Sequence, residues 1–211
     1  MKNNRSIQEQ TIMVILAAGK GTRMGRDDLV KVCFEIDSEP AINRQINVFR
    51  KKRFSKFILV VGEKAEQVLG TVAKQHADVM YVYQEPQLGT GHAAKIVAEA
   101  LANLEFSGPV LLSTGDKHIE ESAIEALVDG FVKQQADMAM LTIPKTKATE
   151  GSVGRVFVDG DGQAIDIIER TDRQRLAIAD ELRDRLAKGK EITPDGLGTV
   201  IEKHIPGPAK Q

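Results

Sequence analysis

The chain has 211 residues, 42% of them hydrophobic, which is enough for one domain with a sizeable core, or one domain plus an appendage. Its 29 Lys and Arg against 30 Asp and Glu leave a net charge of −1, without the positive excess that nucleic-acid coats and polybasic membrane binders need. Scarce aromatics (seven Phe, two Tyr, no Trp) supply few stacking platforms for single-stranded nucleic acid, and one cysteine, Cys33, excludes an internal disulfide framework and a Cys-rich zinc site. The longest apolar run, Ile12 to Ala18, is seven residues, against the roughly 20 of a membrane helix. The first ten residues are polar and unlike a signal peptide. These features predict a soluble, cytoplasmic protein of a reducing compartment, with neither nucleic acid nor membrane as partner.

In chain order, Ile12–Ala17 reads as a buried strand and Val32–Ile36 as a second, weaker one. Residues 40–53 carry Ile42, Ile46 and Phe49 at helical spacing behind Pro40. Lys56–Val61 is a predicted strand, 63–75 a helix, Val79–Tyr83 a strand, and 91–104 a helix with one apolar stripe. Val110–Ser113 then reads as a strand, 120–135 as a helix and Met138–Ile143 as a further strand. Beyond Pro144, Arg155–Val158 and Ala164–Ile168 flank Asp159-Gly160-Asp161-Gly162 as a β-hairpin. Residues 173–187 read as a charged amphipathic helix, and Thr193 through Pro208 as turn and tail. The alternation predicts an α/β fold: a Rossmann-like, mostly parallel sheet with helices on both faces and a β-hairpin insertion. Ligands of such sheets sit outside the carboxyl ends of the strands.

Three loops at those ends carry chemistry. The first is Leu16-Ala17-Ala18-Gly19-Lys20-Gly21-Thr22-Arg23-Met24. Small residues and glycines let backbone N–H groups approach a phosphate chain, while Lys20 and Arg23 add positive charge. The order required of a P-loop is missing, and Met24 stands where a dinucleotide fingerprint has its third glycine. The second loop is Gln84-Glu85-Pro86-Gln87-Leu88-Gly89-Thr90-Gly91-His92. A Gln amide offers both a donor and an acceptor to a base edge, and Gly89 and Thr90 let backbone pack against that base. His92 is read as a local hydrogen-bonding residue at a helix start in preference to a catalytic one. The third loop ends in Gly115-Asp116, a place for a Mg²⁺ ligand or for a helix cap. His118 does not make a transition-metal pair with it.

Together these loops resemble the sugar-nucleotide pyrophosphorylases, most closely the uridylyltransferase domain that acts on N-acetylglucosamine 1-phosphate. The motifs of that family, L-A-A-G-x-G-T-R-M with a following lysine, Q-x-x-x-x-G-T-G-H-A, G-D, G-R and a later Glu, fall here on Leu16–Met24, Lys31, Gln84 with Gly89–Ala93, Gly115-Asp116, Gly154-Arg155 and Glu169. The resemblance covers residues 12 to about 172, taken as the nucleotidyltransferase domain (1–172), with 173–211 as a divergent or truncated helix and tail. It departs at Val30, where the family has Pro, at Lys117-His118 and at Val153. After Asp172 it stops, and no Asn follows Asn103 to supply the family's sugar strand and second metal ligand.

The resemblance implies transfer of UMP from UTP to a sugar 1-phosphate with Mg²⁺ as cofactor. It assigns the nucleotide to Leu16, Ala17, Ala18, Gly19, Gly21, Thr22, Gln84, Gly89 and Thr90. Catalysis falls to Arg23 and Lys31, the sugar to Gly154 and Glu169, and the metal to Asp116. The alternative is a nucleotide-binding regulatory or degenerate transferase domain of a larger protein, without turnover; UTP and a sugar 1-phosphate are the expected small-molecule partners, and the chain is expected to be part of a longer chain or of an oligomer. These 211 residues are expected to bind nucleotide and to turn over poorly, or not at all, with N-acetylglucosamine 1-phosphate.

Overall fold

The structure, a computed structural model, describes residues 5–19, 29–144, 146 and 154–205. It divides into two compact units, residues 1–141 and 142–211.

The first unit opens with a single helical turn, α1 (Ile7–Gln10), closed by a reciprocal cap in which Ser6 N–H donates to Glu9 and Glu9 N–H to Ser6 Oγ. The strands β1 (Ile12–Leu16), β4 (Lys56–Val61), β5 (Met80–Tyr83) and β6 (Val110–Thr114) form one parallel sheet in the order β5-β4-β1-β6. Every residue of β1 is buried, as expected of a central strand covered on both faces. Its side chains alternate between two cores. Met13 and Ile15 meet α2 (Ala41–Lys51), α3 (Ala65–Val72) and α5 (Glu121–Lys133) through Ile42, Ile46, Phe49, Val68, Val72 and Ile124. Ile12, Val14 and Leu16 meet α4 (Thr90–Asn103) through Ala93, Val97 and Leu101. Each fully buried aliphatic side chain contributes about 1.5–3 kcal/mol, so these two layers hold the sheet in place. Pairing Leu16 with both Val60 and Thr114, and Val61 with Tyr83, brings the carboxyl ends of all four strands to one edge.

Two expectations are corrected in this unit. Val32–Ile36 is not one strand. Lys31–Cys33 forms a 3-10 turn, followed by a two-residue hairpin, β2 (Glu35–Ile36) and β3 (Glu39–Pro40), whose connecting Asp37 and Ser38 both take positive φ. Met138–Ile143 forms no ladder with β6, although Met138 and Met140 line, with Val110, Leu112 and Phe131, an apolar cavity of about 610 Å³. Its apolar side chains sit near β6 without the backbone pairing that makes a strand.

In the second unit, β7 (Arg155–Val158) and β8 (Ala164–Ile168) form the expected hairpin. Helix α6 (Arg170–Ala187) starts three residues before the predicted helix. The predicted tail contains α7 (Pro194–His204). Thr193-Pro194-Asp195-Gly196 is a helix start and not a free turn: Thr193 Oγ1 accepts from Gly196 N–H at 3.1 Å and Pro194 occupies the first turn.

Glu181 joins the two helices. It accepts from Lys203 and His204 on α7 at 2.8 Å each and from Arg185 at 2.9 Å, and these three donors hold its carboxyl below the usual 4.5, at about 2. A carboxylate whose pKa is depressed in the folded state stabilises above its unfolded pKa, and that contribution is lost as pH falls through the folded value. The α6–α7 pairing is therefore expected to weaken between pH 4.5 and about 2. Circular dichroism across that range should show the transition, and Glu181→Gln should remove its pH dependence.

Candidate active site

The loop after β1 leaves the sheet through Ala17, whose N–H donates to Val60 O at 2.8 Å. Ala17 and Ala18 are buried, and Gly19 is exposed. Leu16 places its side chain in the core and its carbonyl on Gly115 N–H at 2.8 Å, which ties the first loop to the third. Gly115 permits this closeness, since a Cβ there would lie 3.2 Å from Leu16 O, and Gly62, just past β4, lets the first loop approach the second: a Cβ there would lie 3.1 Å from Ala18 Cβ and would collide with Gln87 Nε2. Gly21, Thr22 and Arg23 lie outside the described residues.

Lys31 stands on the 3-10 turn, positioned by a hydrogen bond from Val30 N–H to Gln67 Oε1 at 2.9 Å. Its Nζ reaches Asp116 Oδ2 at 2.7 Å, joining two predicted site residues that are 85 positions apart. Burial alone would raise the Asp116 pKa. Hydrogen bonds from Lys31 and Thr114 and the charges of Lys31 and Lys117 outweigh it and hold the carboxyl below its ordinary range. Asp116 therefore presents an ionised, hard oxygen donor next to a cation.

Gln45 supports this corner and was not foreseen. Buried on α2, its Nε2 donates to Ser113 Oγ at 2.9 Å and to Thr114 O at 3.2 Å, fixing the end of β6 two residues before Asp116. A polar residue between Ile42, Ile46 and Phe49 on an apolar stripe was the available signal.

Gln84, 4% exposed, follows β5 directly. Its N–H donates to Val61 O at 2.8 Å, and its side-chain Nε2 donates to Gly89 O at 3.0 Å and lies 3.3 Å from His92 Nδ1. Gly89, at φ 96°, caps α4, and Thr90 opens that helix. A side chain other than hydrogen is strained at that φ.

The predicted sugar residues belong to the second unit. There a Cβ at Gly154 would lie 3.1 Å from Ile168 O and 3.4 Å from Glu169 Oε2, so the two residues adjoin.

Mg²⁺ binds through one or two carboxylates, keeps several waters and takes substrate phosphate oxygens. A single ionised Asp116 fits that habit. Among the described residues no cluster of three or more His, Cys, Asp and Glu could hold a metal on protein ligands alone, and His118 adds none. Nor is any described helix long and apolar enough to cross a membrane.

Residues 13–204 match the family model of the MobA-like NTP transferase domain. The chain belongs to this family. Its curated relatives include the bifunctional protein GlmU of Cellvibrio japonicus, 39% identical over 168 residues (78% of this chain, 35% of the relative), and that of Geotalea daltonii, 36% identical over 160 residues (75% and 34%). GlmU of Staphylococcus carnosus is 30% identical over 215 residues, or 92% and 46%. The chain thus spans about a third to a half of the length of these relatives. Among solved structures, HddC from Yersinia pseudotuberculosis complexed with GMP-PN aligns with TM-score 0.57 at 21% identity, covering 75% of this chain and 68% of that one. A putative glucose-1-phosphate thymidylyltransferase from Bacillus anthracis aligns with TM-score 0.58 at 16% identity (76% and 64%). At these identities the structural likeness establishes the shared nucleotidyltransferase fold, which the four-stranded parallel sheet and its flanking helices reproduce. The chain thus carries an NTP transferase domain of the MobA-like family.

Proposed function

We propose that this family member is a uridylyltransferase, moving UMP from UTP to a sugar 1-phosphate, with N-acetylglucosamine 1-phosphate as the acceptor. The observation that carries the proposal is the 2.7 Å pairing of Lys31 with Asp116 at the edge where Gln84 and the Ala17–Gly19 backbone also lie. The GlmU relatives, matched over 75–92% of this chain, support uridine and the amino sugar.

In the proposed reaction an oxygen of the sugar phosphate attacks the α-phosphorus of UTP in line. A new P–O bond forms, the bond to the β-phosphate oxygen breaks, and pyrophosphate leaves with the electron pair. This chemistry needs positioning and charge neutralisation more than a covalent nucleophile. Backbone N–H groups of residues 17–21 cradle the triphosphate, and Arg23 takes the departing pyrophosphate. Lys31 places its ammonium where the two phosphates meet, Gln84 with Gly89 and Thr90 reads the base, and Gly154 and Glu169 hold the sugar. Asp116 would hold Mg²⁺, whose chemistry is to neutralise phosphate charge.

Gln84→Ala is expected to weaken UTP–Mg²⁺ binding by about 1–3 kcal/mol, the cost of leaving a polar edge without its partner. Titration calorimetry with UTP checks this. Unchanged affinity would remove Gln84 from the base site, and UTP binding without any transfer to a sugar phosphate would favour the regulatory reading.

A further inference from the structure

Gln84 can read a base only if its amide is held one way round, and two neighbours decide which. Gly89 O, 3.0 Å away, can only accept a hydrogen bond, so the amide nitrogen must face it. The same nitrogen lies 3.3 Å from His92 Nδ1. Its second hydrogen can be accepted there by the imidazole tautomer that carries its own hydrogen on Nε2. Both hydrogens of the amide are then spent inside the protein, and Oε1 remains as the one hydrogen-bonding group the side chain can offer a ligand. The local sequence builds this arrangement: the positive φ of Gly89 turns its carbonyl back toward Gln84, and His92 falls on the first turn of α4 beside it.

We propose, on the uridylyltransferase reading above, that His92 is a positioning residue for base selection. By accepting from Gln84 Nε2 it keeps Oε1 toward the nucleotide, so that the site takes a base carrying an imide N–H and refuses one carrying a bare ring nitrogen. Uracil presents N3–H to that oxygen. Cytosine presents the lone pair of N3, and two acceptors facing each other in a buried place repel. UTP and CTP have nearly the same size and differ only at N3 and the neighbouring C4 substituent, so the change in their discrimination on altering His92 reads this contact. With Gly89 O as the single remaining anchor the amide is held less firmly, which is why His92 acts on the base through Gln84.

The experiment is titration calorimetry of UTP–Mg²⁺ and CTP–Mg²⁺ on the chain and on two variants. His92→Ala is expected to lower the ratio of UTP to CTP affinity about tenfold, by loss of one fixed hydrogen bond. His92→Asn, whose Oδ1 can accept near the position of Nδ1, is expected to restore most of it. A merely structural role would weaken both nucleotides alike, so an unchanged ratio in His92→Ala overturns the proposal, as does an Asn variant no more selective than the Ala one. Should the unmodified chain prefer UTP and His92→Ala keep that preference, Gln84 stands as reader and His92 falls. Failure of the unmodified chain to bind either nucleotide overturns the uridylyltransferase reading itself, and the role of His92 with it.

Discussion

Lys31→Ala is expected to slow nucleotidyl transfer by about 10²–10³-fold, the usual effect of removing a group that stabilises transition-state charge. Asp116→Ala should cost at least as much and should blunt the dependence of rate on Mg²⁺. Neither change should shift the melting temperature appreciably. The two side chains are 45% and 31% exposed, and ion pairs of that kind contribute at most about 1 kcal/mol to folding. Their proximity is better explained by phosphate chemistry than by stability. Steady-state pyrophosphate release, measured beside thermal melts of each variant, separates the two roles. Activity and melting temperature falling in parallel would mark Lys31 and Asp116 as structural residues.

The largest effect on stability is expected from Phe49→Ala. Phe49 is 1% exposed and meets Phe54 edge-on, with ring centroids 5.4 Å apart and planes at 89°. Deleting a buried Phe removes its transfer free energy and leaves a cavity, together about 3–5 kcal/mol. In a protein of this size that lowers the melting temperature on the order of 10 °C. Phe49 lies on α2, the helix whose Gln45 holds Thr114 O, so the loss also loosens the strand end that presents Asp116. Denaturant unfolding monitored by circular dichroism gives the value. A loss under 1 kcal/mol would show that α2 is held by other contacts.

The parts of the fold legible in the sequence were those with a strong period. Uninterrupted apolar runs marked β1 and β4, because strands covered on both faces need no polar alternation, and apolar stripes marked α2, α4 and α5. Met138–Ile143 has strand composition, yet pairing is a long-range matter that composition does not decide. Helix α7 was missed because Thr-Pro-Asp-Gly serves equally as a turn and as a helix cap, and only the following Leu197, Val200 and Ile201 distinguish the two. For the proposed site, the motifs name candidate residues one by one. Their contacts were not legible: Lys31 and Asp116 are 85 residues apart, and only the shared end of β1 and β6 joins them. Gln45 acts through backbone groups of β6, which no local motif announces.

The central claim is that the carboxyl ends of β1, β5 and β6 form a UTP–Mg²⁺ site. Titrating UTP into the isotopically labelled chain, with and without Mg²⁺, and following the backbone amides by NMR tests it directly. Saturable, Mg²⁺-dependent shifts are predicted at Ala17, Ala18, Gly19, Lys31, Gln84, Gly89, Thr90 and Asp116, with little change in α6 and α7. Shifts that cluster elsewhere while these amides stay still, or no saturable shift at all, would contradict it.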